Sequence, residues 1–392
     1  MTRALAPLAL LALAACSTPA PKKASPPEPL GAIPSAVTTA QPEWLPWSVR
    51  AGKPVAQDPR ERHLAEVRQL TFGDGENAEA YWSPDGHQLI WQSTRGGAGC
   101  DQMWVMDLGG GEIRRVSTGG GRTTCGYFFY PHADRVLYSS TLAAGVACPL
   151  KPDRSQGYVW ALDPFQIYSA NPDGSDRRLL LGGPGYNAET TVAPDGSRLV
   201  FTSTRDGDLE LYTARLDGSD VRRITHTPGY DGGAFFSPDS SRLVWRAGRP
   251  AGAELEEYRA FLARGLVKPT THEIMVGGAE GQNAHAVTRN GKANFAPSYL
   301  PDSRRVIFAS NIDALPSPVS QEGRAPNFDL YVVDPDAPVT LEGVPPIERI
   351  TYYEGFDSFP MFSPSGELLV FASNRFGSKP GETNVFVARW VE

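Results

Sequence analysis

The chain has 392 residues, with 44 acidic and 37 basic side chains and a formal net charge of -7. A mildly acidic balance without a basic run excludes nucleic acid or an anionic lipid surface as the main partner, since both need a positive face. Length alone allows two or more average domains, but internal repeats override that prior.

The N-terminal segment reads as a targeting signal. Residues 1–15 carry Arg3, then a short apolar stretch interrupted by Pro7, then small residues. This is the plan of a signal peptide and is too short to span a bilayer. It ends Leu13-Ala14-Ala15-Cys16, which resembles a bacterial lipobox, in which the cysteine is acylated and becomes the first residue. Several acyl chains anchor firmly where one does not. Ser17 in place of Asp resembles the outer-membrane sorting pattern, so the expected location is the envelope, on the outer membrane and facing the periplasm. Removing the leader with Arg3 takes the net charge from -7 to -8. Residues 16–47 are rich in Pro, Ala, Ser and Thr, an extended tether with no core of its own.

From residue 48 onward one phrase recurs six times: Tyr81-Trp82-Ser83-Pro84-Asp85-Gly86, Phe129-Tyr130-Pro131-His132-Ala133-Asp134, Val192-Ala193-Pro194-Asp195-Gly196, Phe236-Ser237-Pro238-Asp239-Ser240, Tyr299-Leu300-Pro301-Asp302-Ser303 and Phe362-Ser363-Pro364-Ser365-Gly366. In the third copy, a strand over 189–193 meets a Pro-Asp-Gly turn, where Pro presets φ and Gly accepts a positive one. Strands over 198–204, 210–216 and 221–226 follow. Four antiparallel strands joined by hairpins make a propeller blade, so the expected fold is all-β, a six-bladed β-propeller. The sixth copy stops after its third strand. Val67 to Thr71 matches the fourth strands Arg222-Arg223-Ile224-Thr225 and Glu348-Arg349-Ile350-Thr351, so an N-terminal strand should close the ring.

The succession of Ser-Pro-Asp-Gly, apolar strand, Ser-x-Arg-x-Gly, apolar strand and Arg-x-(Leu/Ile)-Thr resembles the TolB-type propeller family from about Glu66 to the end. TolB itself adds an N-terminal α/β domain and is soluble in the periplasm, whereas this chain starts with a lipobox and tether. The resemblance implies a non-catalytic scaffold that binds an envelope protein or peptide, Tol–Pal-like, and touches the membrane through its anchor alone. Similar propellers also occur as oligogalacturonate lyase and as the accessory module of prolyl-oligopeptidase-like peptidases. An enzyme acting on polysaccharide, or an accessory module of an envelope peptidase, is therefore the alternative.

Function must lie where the copies differ. Insertions at 142–162, 248–272, 312–327 and 376–383 all fall between second and third strands, hence on one face, the usual place for binding loops. Within the second, Leu255, Tyr258 and Leu262 recur at helical spacing over 253–264, predicting a short helix. It should pack on neighbouring loops, with a lid over the central opening as the alternative. At the entries to the first strands stand Asn77, Glu79, Thr124, Asn187, Glu189, Asp231, Asn294 and Asp357, and after the second strands Arg95, Arg205, Arg246 and Arg375. Convergent polar groups at a channel mouth are the default ligand site. Pairs such as Glu189 with Arg205 are equally suited to locking a blade. Cys100, Cys125 and Cys148 map to the same face, and an extracytoplasmic address permits one disulfide among them, the pairing left open. Catalytic signatures are missing: there is no Gly-x-Ser-x-Gly, and His272-Glu273 lacks the second His of a zincin. No metal or cofactor is expected.

Overall fold

The computed structural model describes residues 50–392 apart from 74, 154, 156, 315–326, 342 and 380. The leader, Cys16 and nearly all of the tether lie outside the described residues. Blade three shows how the repeat folds. Its strands Asn187–Val192, Leu199–Ser203, Glu210–Ala214 and Arg222–Arg223 pair in sequence order, each antiparallel to the last. The Pro-Asp-Gly turn closes through Gly196 N–H donating to the Ala193 carbonyl at 2.8 Å. The Asp195 carboxylate accepts from Ser197 N–H at 2.9 Å, which fixes the turn before the second strand begins.

Four other blades repeat this sheet, and a sixth sheet is five-stranded. In that sheet Leu64–Gln69 pairs with Asn384–Trp390 in antiparallel register, and Lys53–Pro54 covers the outer edge. The ring is therefore closed by an N-terminal strand, which begins three residues earlier than the repeat alignment gave. Between blades the core is built from fully buried Trp82, Trp91, Trp245, Phe128, Phe201, Phe308 and Phe371. The chain is a six-bladed β-propeller.

Every inner strand carries a bulge. Register breaks occur between Ala78 and Tyr81, Thr124 and Tyr127, Ala188 and Thr191, Gly232 and Phe235, Phe295 and Ser298, and Ser358 and Met361. The residue at the bend has positive φ in each: Glu79, Cys125, Glu189, Gly233, Ala296 and Phe359. A left-handed non-glycine residue costs on the order of 1–3 kcal/mol. Its recurrence in every blade makes it part of the architecture, a device that turns a side chain toward the axis.

The excursions of blades two, four and six, where described, leave from the face on which the inner strands begin, and most of the expected blade-five excursion, 315–326, lies outside the described residues. Two of them meet there: Trp160–Ala161 from blade two pairs antiparallel with Leu266–Val267 from blade four, and Leu162 N–H donates to the Gly265 carbonyl at 2.7 Å. The helix α1 (Ala253–Leu262) leads into this clasp. It packs on blade three, with Phe261 buried and the Tyr258 hydroxyl donating to Asp208. Together Trp160, Leu162, Tyr258 and Leu262 cover Tyr186, Ala188 and Leu209 of blade three.

Candidate binding site in the axial channel

Three layers of side chains descend from the mouth of the channel. In the outermost, Asn77, Thr123, Asn187, Asp231, Asn294 and Asp357 start the inner strands, each no more than 1% exposed. The amides of Asn77, Asn187 and Asn294 donate to carbonyls of the preceding blade, those of Thr383, Phe165 and His272, and their oxygens accept within their own blades. Ser93, Ser203 and Ser310 hydroxyls donate to Asn77, Asn187 and Asn294, and Trp245 Nε1 donates to Asp231 at 2.7 Å. Arginines complete the pattern: Arg205 Nη2 donates to Asn187 at 3.0 Å, Arg249 Nη2 to Asp231 at 2.6 Å, and Arg375 Nη2 to Asp357 at 2.6 Å. This layer is a set of locks between strands one and two. Arg95 lies over the Trp91 and Trp104 rings, and Arg205 over Phe201 and Tyr212.

Two of the sequence equivalences shift by register. Thr123 rather than Thr124 occupies the outermost layer, and the Thr124 hydroxyl instead donates to Gln92 at 2.6 Å. Counting from the strand ends, Arg249 is the counterpart of Arg205 and Arg375, whereas Arg246 lies inside the strand Arg242–Ala247. Arg246 therefore points inward. Its ion pair is with Glu189 of blade three, it donates as well to the Tyr230 hydroxyl of its own blade, and the suggested Glu189–Arg205 pair does not form. Gly233 makes this possible: a Cβ there would stand 2.6 Å from the Arg246 guanidinium. Glu61, also fully buried, holds Arg375 through both carboxylate oxygens at 3.0 and 3.1 Å.

The second layer is the set of bulge residues. Glu79, Cys125 and Glu189 stand on one half of the ring, and Gly233, Ala296 and Phe359 on the other, all lining a cavity of about 30 Å³ with Thr190, Thr191 and Arg246. Below it, Tyr81 of blade one meets Phe235 of blade four, ring centroids 5.3 Å apart, and Tyr127 joins them at 5.6 Å from Tyr81. Blades one and four face each other across a six-membered ring, so this contact plugs the channel.

Charge in the cavity is only partly balanced. Enclosure by protein pushes the Glu79 carboxyl up to about 7; the Cys125 thiol and the Arg246 charge act against the rise and Glu189 adds to it. Glu79 is half-buried and lines the channel cavity. Burial, then the Glu79 and Glu189 charges, push the Cys125 thiol up, so it stays protonated. Arg246 is held above its ordinary range because Glu189 and the neighbouring phenols outweigh the cost of burial. In the outermost layer, burial raises Asp231 of blade four to about 7 despite its bonds from Arg249 and Trp245.

Aromatic groups frame the mouth. The Arg246 guanidinium lies between Trp160 of the clasp and Tyr230, at 5.0 and 5.1 Å from their ring centroids. His272 stacks on Tyr230 at 4.6 Å, and burial followed by the Arg246 and Arg249 charges drives its pKa down to about 3. On the opposite side Phe295, Phe328, Phe356 and Phe359 form a cluster of phenyl rings, three of them half-buried. Cys100 and Cys148 are disulfide-bonded, which ties the blade-two excursion to blade one and leaves Cys125 as the free thiol. Among the described residues no three His, Cys, Asp or Glu side chains are grouped to hold a metal, and no helix is long and apolar enough to cross a membrane. Trp160, Tyr230, Arg249 and Glu61 escaped the sequence reading. The count from Ser203 to Arg205, applied to Ala247, would have found Arg249.

Known structures share the fold. A protein of Agrobacterium tumefaciens assigned to TolB aligns with a TM-score of 0.51 and 18% identity, over 81% of this chain and 91% of the other. Its fold is that of a TolB-like propeller. TolB from Acinetobacter baumannii aligns at 0.49 with 18% identity over 81% of this chain and 64% of its own. An oligogalacturonate lyase solved with manganese aligns at 0.44 with 15% identity, covering 87% and 98%. No protein-family model matches the chain, and no curated protein matches it. These likenesses are of fold, and a fold of this kind hosts many functions.

Proposed function

We propose that the chain is a binding module of the bacterial cell envelope, anchored at the outer membrane through an acylated Cys16, whose excursion-bearing face holds a peptide or protein segment without chemistry of its own. One observation carries the reading. The clasp, the phenyl cluster and the axial cavity gather on one face, giving an apolar rim around a small, largely apolar pocket that holds two carboxylates and a guanidinium. That combination suits a chain segment that lays side chains on the rim and inserts one polar group. The ionisable groups favour binding over catalysis, since Arg246 is engaged by Glu189 and the free thiol is held protonated.

The test is peptide selection against the full-length protein, followed by titration of the selected sequences. Phe356→Ala at the rim should weaken binding about tenfold, as loss of an aromatic anchor does. Arg215→Ala, on the opposite face, should leave it unchanged. Peptides indifferent to both changes would overturn the reading. For the anchor, labelled fatty acid should enter the wild-type protein and not Cys16→Ala; an unlabelled wild type refutes it.

A further inference from the structure

The axial cavity has a chemistry more specific than its place on the binding face. Two carboxylates, Glu79 and Glu189, face a single guanidinium, Arg246, which is already paired with Glu189. Glu79 is left with the Cys125 thiol as its polar neighbour. The Thr190 hydroxyl lines the same cavity, is 1% exposed, and has no hydrogen-bond partner among the described residues. A buried hydroxyl with an unused acceptor is costly, and a donor arriving from a ligand would satisfy it. Rings of Tyr81, Phe235 and Phe359 form the remaining wall. Aromatic faces attract cations and accept methylene stems.

We propose that this cavity receives a single alkylammonium group, with Glu79 as its counter-ion, the Thr190 hydroxyl as a second acceptor and the aromatic wall around its stem. The inference rests on the reading of this face as a binding surface and names the group that enters it. Size agrees: a cavity of about 30 Å³ accommodates one water-sized polar head, since about 10–15 Å³ is the minimum for a water. Sign agrees as well, because an anion would meet two carboxylates and one occupied arginine. The ammonium comes from a lysine side chain or from a free peptide N-terminus, which present the same group.

Protonation follows from the surroundings. The groups acting on Glu79 are Cys125 from blade two, Glu189 from blade three, Arg246 from blade four, and Tyr81 and Asp101 from blade one; Tyr127 stands behind Tyr81, and Tyr186 and Tyr230 behind Glu189 and Arg246. With the Glu79 carboxyl up near 7, an entering ammonium displaces a proton that the carboxyl otherwise holds about half the time at neutral pH. Binding therefore strengthens as pH rises through that value and weakens below it.

The experiment titrates the full-length protein with butylammonium, using butanol as the neutral control. Calorimetry in buffers of different ionisation heat reads the released proton. Expected are binding of butylammonium but not butanol, and affinity about tenfold higher at pH 8 than at pH 6. Glu79→Gln should lose about thirtyfold or more together with the pH slope. Thr190→Val, which keeps the shape, should lose several-fold and retain the slope. N-acetyl-lysinamide and phenylalaninamide then distinguish the side-chain from the N-terminal source, whichever binds more tightly to the wild type and loses more on Glu79→Gln. Equal binding of butanol, a flat pH profile, no heat of binding at the highest soluble concentration, or affinity unchanged by Glu79→Gln overturns the inference. Selected peptides that bind the rim without any amine, and are unaffected by Glu79→Gln, would sink it while leaving the proposed function standing.

Discussion

Arg246 of blade four reaches across to the Glu189 carboxylate of blade three, so the two blades share one enclosed ion pair at the axis. The Tyr230 hydroxyl and Gly233 N–H also bond Glu189, which leaves its charge well solvated by protein. Removing one member strands the other without water. Arg246→Met should therefore lower stability by about 3–5 kcal/mol, and the double variant Glu189→Gln/Arg246→Met should recover a large part of that loss. Urea denaturation of the four proteins completes the cycle. Additive losses would mean that the residues act separately.

How much of this was legible beforehand depends on the length scale of each feature. The blades were readable because each turn is specified within a few residues, as Asp195 and Gly196 show. Closure was readable because Leu64–Gln69 repeats the composition of other fourth strands. The site was blurred where equivalent positions differ in residue type. Two adjacent threonines at the start of one inner strand leave Thr123 and Thr124 indistinguishable by residue type, and a register counted from the wrong strand end gives Arg246 the role that belongs to Arg249. The clasp was invisible, since a two-residue pairing between Trp160 and Val267 has no local signal across so long a separation. Parity allowed three pairings of Cys100, Cys125 and Cys148; only their distances choose among them.

The Cys100–Cys148 disulfide closes a separation of 48 residues. On the chain-entropy account, such a loop contributes about 4 kcal/mol through the unfolded state. A Cys100→Ala/Cys148→Ala variant should unfold at lower urea concentration by a corresponding amount. Reduction of the wild type should produce the same shift and have no further effect on the variant. If reduction destabilises the variant as much, the bridge is not the cause.

His272 is buried against Tyr230 and faces two arginines, with its pKa down near 3 against an ordinary value of 6.5. A depressed histidine contributes stability above its unfolded pKa that is lost as pH falls toward the folded one. The wild type should therefore lose a few kcal/mol, as an order of magnitude, between pH 6.5 and about 3 on this account. His272→Phe keeps the ring stack and should show a flatter profile over that window. Thermal unfolding followed at half-unit pH steps decides it, and parallel profiles for the two proteins would refute the assignment.

Glu79 shows the opposite sign. Its carboxyl is raised from 4.5 to about 7, chiefly by enclosure, so the folded state prefers the protonated form. Its contribution is fully present below the unfolded pKa of 4.5 and is lost as pH rises through about 7. Above that point the charged Glu79 costs about 3 kcal/mol relative to a neutral group, on the shift-to-energy conversion. Glu79→Gln should accordingly be more stable than the wild type at pH 8 and equal to it at pH 4. A residue that weakens its own fold at neutral pH needs a compensating use, and the pairing of carboxylate and ligand supplies one. Urea midpoints at the two pH values test the stability half of that trade. A variant that is less stable at pH 8 would show that Glu79 is held by bonds that outweigh its desolvation.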